Sequence, residues 1–397
     1  MELLLTSDAT TVILDPRGPN VIHAQVHLVI PRGTQPPAAR LHSIRVSLQC
    51  KESLSFPGGW FETHQWEPSI DCEDVGDFRL QSGGTYSWEV QLAIPDDMPS
   101  YERCRSGFCF QTLRAEATFE GFRFFRKTLQ AEKSIFLVPE PESDECFCYS
   151  HSQTGLAESL GPVAIHTESQ HLTIGGYIRT AAQVPAPSPD CSLDAVEFTL
   201  TQNTKLKSRQ RKGRETDGAP KRIRLLRAEG KDCEAMQWMI RLPSDMEVRP
   251  STIAKQNSLQ LTHNLEVRFY YSIDDSDRQS TSSSSSSSTS STAQRKRKAY
   301  LLSWPIHLPS CAFRWATTHL PAYSPHDPCP VPARGRDEWT GKNEHLSQDQ
   351  CVCGQTMEEV LEVEREMARV HSCGIGEGFD WARADVTVPE KQAGHKV

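Results

Sequence analysis

The stretch Val21–Ile30, VIHAQVHLVI, sets Ile22, Ala24, Val26 and Leu28 on one side of an extended chain and Val21, His23, Gln25 and His27 on the other. This period of two is the signature of a half-buried β-strand, because successive side chains leave a pleated strand on opposite faces. Pro31-Arg32-Gly33 ends the run. The alternation returns in Leu41–Cys50, where Ile44, Val46 and Leu48 alternate with Ser43, Arg45 and Ser47. Phe56-Pro57-Gly58-Gly59 then reads as a turn, since proline presets φ and glycine accepts positive φ.

Outward from this stretch, Thr85–Ile94, Cys109–Phe119 and Lys133–Val138 are further strand candidates separated by Gly, Pro and Asp, and no helical period of useful length interrupts them. Short strands with turns every ~8–15 residues argue for an antiparallel sandwich over residues 1–138. Residues 139–161, rich in Pro, Ser, Glu and Asp, read as a linker. A second β-rich block follows, with strands at Val163–Glu168, His171–Thr180, Cys191–Thr201, Lys221–Ala228, Ala235–Leu242, Gln260–Ile273 and Tyr300–Ile306. The expected architecture is therefore all-β: two consecutive antiparallel β-sandwiches, the second over 162–325.

Two insertions are expected as disordered loops in the second block, near 203–220 and 276–298. The first is basic: from Lys205 to Arg227 ten Lys or Arg stand against only Glu215 and Asp217. The second holds the Ser280–Thr292 tract followed by Arg295-Lys296-Arg297-Lys298. A flexible tail over 326–397 carries one short amphipathic helix near 356–370, where Thr356-x-x-Glu359 fits a capping box and Met357, Val360, Leu361 and Met367 fall near one stripe.

Composition narrows the function classes. The 397 residues carry a net charge of −8, and a hydrophobic content of only 37% leaves part of the chain unpacked. No run of ~18 apolar residues suggests a spanning helix. Met1–Leu5 is too short for a signal peptide and lacks a basic start. The thirteen cysteines show no disulfide-framework spacing and read as reduced thiols, so a cytoplasmic location is expected. Cys146-x-Cys148 with His151, and Cys351-x-Cys353 with Cys373, are the clusters of soft ligands that could hold zinc. Neither offers the usual Cys-x2-4-Cys spacing with a complete second pair, so no metal is expected. No nucleophile elbow, phosphate-binding glycine loop or His-Glu-x-x-His occurs, and neither catalysis nor a cofactor is expected.

Several segments together resemble the arrestin family, specifically its α-arrestin-like branch with N-terminal and C-terminal arrestin domains. In the first block these are Leu41–Leu48, Glu52, Phe56-Pro57-Gly58-Gly59, Gly84–Pro95 and Leu113-Arg114-Ala115. In the second they are Ile174-Gly175-Gly176, Arg241-Leu242-Pro243, Arg249-Pro250-Ser251-Thr252 and Thr262–Val267. The match spans roughly residues 10–325. The resemblance implies two curved, immunoglobulin-like sandwiches joined by a short hinge, with no catalytic centre. It also implies an adaptor that recruits a HECT-type ubiquitin ligase to plasma-membrane transporters or receptors for ubiquitination and endocytosis, with peripheral recruitment to the plasma membrane or endosomes. The alternative keeps the fold but makes it a ligase-independent trafficking or signalling scaffold.

Such adaptors bind WW domains through a [Leu/Pro]-Pro-x-Tyr motif, which Leu320-Pro321-Ala322-Tyr323 satisfies. Pro321 favours the extended backbone that an aromatic WW groove accepts at low entropic cost, and Tyr323 adds an amphipathic ring. The plainer reading is a proline-rich strand exit with Tyr323 packed on the fold. Lys205, Lys207, Arg209, Arg211, Lys212 and Arg214 are candidate contacts for anionic lipid, inositol phosphate or phosphorylated cargo tails, against a solvated loop as the commoner role of a charge run. A nuclear-localisation role for this run or for Arg295–Lys298 is a further reading. Nucleic-acid binding is not expected, since no aromatic residues interleave with the charge. The Ser280–Thr292 tract reads as a flexible linker or, beside its basic run, as a phosphorylation switch.

Overall fold

The computed structural model describes residues 1–33, 40–72, 80–120, 126–141, 147–169, 172–184, 189–211, 213–230, 236–245, 247–252, 257–274 and 295–313. The Ser280–Thr292 tract, the 320–323 motif and the 356–370 helix lie outside these residues. Among the described residues no helix is long and apolar enough to cross a membrane.

The chain is all-β. Its first ten strands are β1 (Glu2–Ser7), β2 (Thr11–Leu14), β3 (Val21–Val29), β4 (Arg40–Phe56), β5 (Trp60–Trp66), β6 (Ser69–Asp71), β7 (Thr85–Ala93), β8 (Glu102–Cys104), β9 (Gly107–Glu120) and β10 (Arg126–Pro139). One sheet runs β1-β3-β7; the facing sheet runs β2-β10-β9-β4-β5, with β6 on β4 and β8 on β9. All these pairings are antiparallel except β2 with β10. Ile22, Ala24, Val26 and Leu28 of β3 are buried against Ile44, Val46 and Leu48 of β4, as the alternation required. The β4–β5 hairpin turns at Gly58 and Gly59, whose φ values of +98° and +81° suit glycine.

The second sandwich comprises β11 (Tyr149–Ala157), β12 (Gly161–Ser169), β13 (Tyr177–Gln183), β14 (Cys191–Lys207), β15 (Glu215–Asp217), β16 (Lys221–Glu229), β17 (Gln237–Arg241), β18 (Leu259–Asp274) and β19 (Arg295–Ile306). One sheet runs β11-β12-β13-β17 and the other β15-β14-β18-β19, with β16 also on β14. Its core holds Phe198, Val267, Phe269, Leu265 and Trp304.

Three stretches differ from the sequence reading. Within 139–161, Tyr149–Ala157 is a strand, paired antiparallel with Gly161–Ser169. Its exposed face carries Ser150, Ser152 and Thr154 beside one apolar residue, Leu156, so its composition imitates a linker. Within 203–220, expected as a disordered loop, β14 continues to Lys207 because Asn203 to Leu206 pair with Leu259 to Thr262 of β18. The 276–298 insertion likewise gives up Arg295–Lys298 to β19, which pairs with Tyr271–Asp274. Backbone pairing overrides weak local pattern in all three, with the neighbouring strand for β11 and β19 and with a strand more than fifty residues away for the end of β14.

The central strands are unusually long: β4 and β14 have 17 residues each. Each overshoots its own core, and the overshooting ends meet. Leu54 and Phe56 from β4 pack with Leu206 from β14 and Leu259 from β18 in a small apolar cluster, flanked by Trp60 and Cys104.

Phe198, fully buried and edge-on to Trp238 with ring centroids 5.3 Å apart, tests the second core. Phe198→Ala is expected to cost about 3–5 kcal/mol, from lost burial plus the cavity left behind. Phe61→Ser, at a side chain 70% exposed, is expected to stay within about 0.5 kcal/mol. Urea denaturation of the two variants measures both.

Candidate functional site at the junction of the two sandwiches

Around the apolar contact between β4 and β14 the junction is built from charge. Glu52 lies on β4 at the buried parity, between Cys50 and Leu54, and is 1% exposed. Its Oε2 accepts from Arg209 Nε at 2.8 Å and from Ser258 Oγ at 3.0 Å, both from the second sandwich. Glu62 occupies the same parity on β5 and is equally buried. Ser208 Oγ donates to its Oε1, the Arg209 amide donates to Oε2 at 3.1 Å, and His64 Nε2 lies 3.4 Å from Oε2. Burial alone would raise the Glu62 carboxyl, but the donations of Ser208, His64 and the loop amides hold it below the ordinary carboxylate value.

Aromatic rings complete this clasp. Trp60 stacks on Phe56 with centroids 3.8 Å apart and planes 6° from parallel. The Arg211 and Arg214 guanidiniums sit 4.4 and 4.8 Å from the Trp60 ring, and that of Arg209 sits 5.0 Å from the Trp66 ring. Guanidinium groups favour such faces through the ring quadrupole.

A second charged cluster lies on the other side of the apolar contact. Arg249 is buried, with its Nη1 on Asp245 Oδ1, its Nη2 donating to the Tyr101 carbonyl at 3.3 Å and its guanidinium 4.8 Å from the Tyr101 ring. Glu102 of β8 places Oε2 3.5 Å from Arg249 Nε, an ion pair without a well-formed hydrogen bond, and both atoms lack other partners. Arg103 Nη2 lies 3.4 Å from Asp245 Oδ2. Burial pushes the Glu102 carboxyl up to about 7; Arg249 opposes that rise and Asp245 reinforces it. The Arg249 guanidinium is raised, its carboxylate neighbours outweighing its burial. Ser100 and Asn257 add a reciprocal pair: the Ser100 amide donates to Asn257 Oδ1 at 3.1 Å, and Asn257 Nδ2 donates to Ser100 Oγ at 2.6 Å.

Beside this second cluster a cleft of about 930 Å³ opens, lined by Arg103, Asp245 and Arg249 of the cluster together with Phe56, Thr204 and Lys221. A 3-10 turn at Cys311–Phe313 closes the described chain by packing with Tyr101, Phe136, Val138 and Phe147 at the same junction.

The structure thus gives most of the sequence-selected basic residues intramolecular partners. Lys205 pairs with Glu215, Lys207 lies 3.9 Å from the same carboxylate, and Arg209, Arg211 and Arg214 belong to the clasp. Lys212 and the Leu320, Pro321 and Tyr323 motif lie outside the described residues, as do Cys146, Cys351, Cys353 and Cys373. His151 stacks on Trp304 with centroids 5.0 Å apart, and Cys148 is exposed. Glu62, Glu102 and Asp245 were not singled out in the sequence. A glutamate at core parity between aromatic residues, as in Trp60-x-Glu62-x-His64-x-Trp66, is the signal that marks such a position.

No family model matches the chain, and no curated protein matches it. Among solved structures, the crystal structure of squid arrestin is similar at a TM-score of 0.41 and 7% identity, over 77% of this chain and 93% of that one.

Glu102 makes the junction sensitive to pH. Its carboxyl is raised from 4.5 to about 7 when buried at the junction, so the folded state favours the protonated form. This stabilising contribution is complete below about pH 4.5 and is lost as pH rises through about 7. Its ceiling is on the order of 3 kcal/mol at ~1.4 kcal/mol per pH unit. Thermal unfolding between pH 5.5 and 8.5 is expected to show a steeper loss of stability in the wild type than in Glu102→Gln, which has no carboxyl to ionise. Parallel curves would remove Glu102 from the account.

Proposed function

We propose that this chain is a non-enzymatic, arrestin-like adaptor that brings a HECT-type ubiquitin ligase to plasma-membrane transporters or receptors and so marks them for ubiquitination and endocytosis. The observation that carries this reading is the position of Leu320-Pro321-Ala322-Tyr323. It begins seven residues after Phe313, the last described residue, which packs at the junction of the two sandwiches. Support also comes from the order of the arrestin-like segments along residues 10–325, which distributes them over both sandwiches.

In this reading the sandwiches offer the cargo surface, and Pro321 and Tyr323 enter a WW groove as an extended segment. Recruitment to the membrane is peripheral, through cargo and through cations the basic loop can spare. Arg209 is bound to Glu52 with its side chain only 27% exposed, so Lys205 and Lys207 are better placed for an anionic surface.

Purified full-length chain is expected to bind one or more WW domains from HECT-type ligases with micromolar affinity, and Tyr323→Ala is expected to lose at least tenfold of it. Titration against a panel of isolated WW domains measures both. Absence of wild-type binding across the panel would remove the ligase from the reading and leave a trafficking or signalling scaffold of the same fold.

A further inference from the structure

Ser208 joins the clasp to its own loop. It opens the loop between Lys207, where β14 ends, and Glu215, where β15 begins. Its hydroxyl donates to Glu62 Oε1 across the junction, and the same oxygen accepts from the Arg211 amide at 2.7 Å. The Ser208 amide donates to the Arg214 carbonyl at 3.0 Å. One hydroxyl therefore ties the loop's own turn to the first sandwich.

The loop is held by side-chain chemistry and not by core burial. The last apolar anchor before it is Leu206. Among the described residues from Ser208 to Arg214, the cross-junction contacts include hydrogen bonds to Glu62, the Arg209–Glu52 ion pair and guanidiniums over Trp60 and Trp66. Lifting residues 208–214 breaks these contacts and leaves both hydrophobic cores intact. Loops joined by polar contacts alone open at the low end of the stability range of a fold.

Its sequence also has a chemical address. Lys205, Lys207, Arg209 and Arg211 lie at −3, −1, +1 and +3 of Ser208. An extended segment of that pattern offers guanidinium and ammonium groups on both sides of one hydroxyl, which complements a protein kinase whose substrate groove is lined by carboxylates.

We propose that Ser208 is a phosphorylation site for such a basic-directed protein kinase, and that its phosphate releases the basic loop from the first sandwich. The loop lifts, and the Ser208 hydroxyl oxygen attacks the γ-phosphorus of ATP. The bond from that phosphorus to the β,γ-bridging oxygen breaks, ADP leaves, and the hydroxyl proton passes to the kinase's base.

Return to the clasp is then opposed electrostatically. The Ser208 hydroxyl no longer donates to Glu62, and a group carrying about −1.5 to −2 charge stands where it donated. Glu52 and Glu62 are fixed on strands with side chains 1% and 0% exposed, and neither can turn away. Arg209, Arg211 and Arg214 lie on the loop itself, so they can follow the phosphate outward and pair with it there. The carboxylates stay and the arginines leave.

The test uses the full chain, the catalytic domain of a kinase selective for arginine-flanked serines, ATP, and a synthetic peptide spanning residues 203–216 as reference. Mass spectrometry is expected to locate phosphate on Ser208 in the peptide and in the chain, and Ser208→Ala is expected to remove that site. Amide hydrogen exchange over residues 208–214 is expected to rise at least tenfold in the phosphorylated chain and in Ser208→Asp. In Ser208→Ala, which loses the hydroxyl without gaining charge, a few-fold rise is expected. Adding Glu62→Gln to Ser208→Asp is expected to return exchange to about the Ser208→Ala level, which separates repulsion from a folding defect. A peptide that takes no phosphate, a chain that stays unmodified while the peptide is phosphorylated, or a phosphorylated chain with wild-type exchange would each overturn the proposal.

Discussion

Glu52 is a carboxylate where the strand pattern calls for an apolar side chain, and the other sandwich supplies the cation that lets it stay. Cys50, Glu52, Leu54 and Phe56 share the inward side of β4, and three of the four could be exchanged among hydrophobic types without changing the rule that buries them. Glu52 could not. A carboxylate at 1% exposure without a partner carries a penalty of several kcal/mol, and the 2.8 Å contact with Arg209 offsets much of it. A buried pair of this kind adds little net stability over an apolar pair of the same shape. Removing only one partner, however, typically costs 3–5 kcal/mol. The pair therefore acts mainly on specificity. It sits beside the apolar contact between Leu54, Phe56, Leu206 and Leu259, so one charged and one apolar set of contacts join the same strands of the two sandwiches.

The two charged clusters are built on different principles. In the clasp the buried carboxylates receive short, well-directed donations, and Glu62 is consequently held in its ionised form. In the second cluster Arg249 is shared by Asp245, Glu102 and the Tyr101 carbonyl, and Glu102 receives the weakest share, 3.5 Å away and without a hydrogen bond to its Oε2. Desolvation then exceeds attraction, and the carboxyl rises to about 7. One side of the junction is thus fixed over the neutral range while the other responds to it. Asp245 takes the best position on Arg249, so the guanidinium keeps a counter-charge even when Glu102 is neutral.

Period-two alternation made the first sandwich legible as far as Val21–Ile30, Leu41–Cys50 and the glycine turn at 58–59, where local pattern and burial agree. Legibility fails where the partner is remote. Asn203–Lys207 contains a single large apolar residue, and it becomes strand only because β18, more than fifty residues later, presents Leu259–Thr262 to it. Arg295–Lys298 reads as a solvated basic run and is nevertheless strand, with Lys298 paired to Glu158 of the second sandwich. The basic loop teaches the same lesson about sites. Its charge was plain in the sequence, but Glu52 and Glu62 lie about 150 residues upstream, so composition could not reveal that the charge is spent internally.

The geometry also constrains where the tail can act. Cys311–Phe313 packs with Tyr101 and Phe136 of the first sandwich and Phe147 of the second, so the chain leaves the described fold at the junction and not at a distal edge. In the proposed reading, a partner bound to the chain after Phe313 is tethered to the junction, because the described chain makes its last contacts there. Tyr101 joins that exit to the charge of the junction: its carbonyl accepts from Arg249, and its side chain belongs to the small apolar cluster that holds Cys311–Phe313.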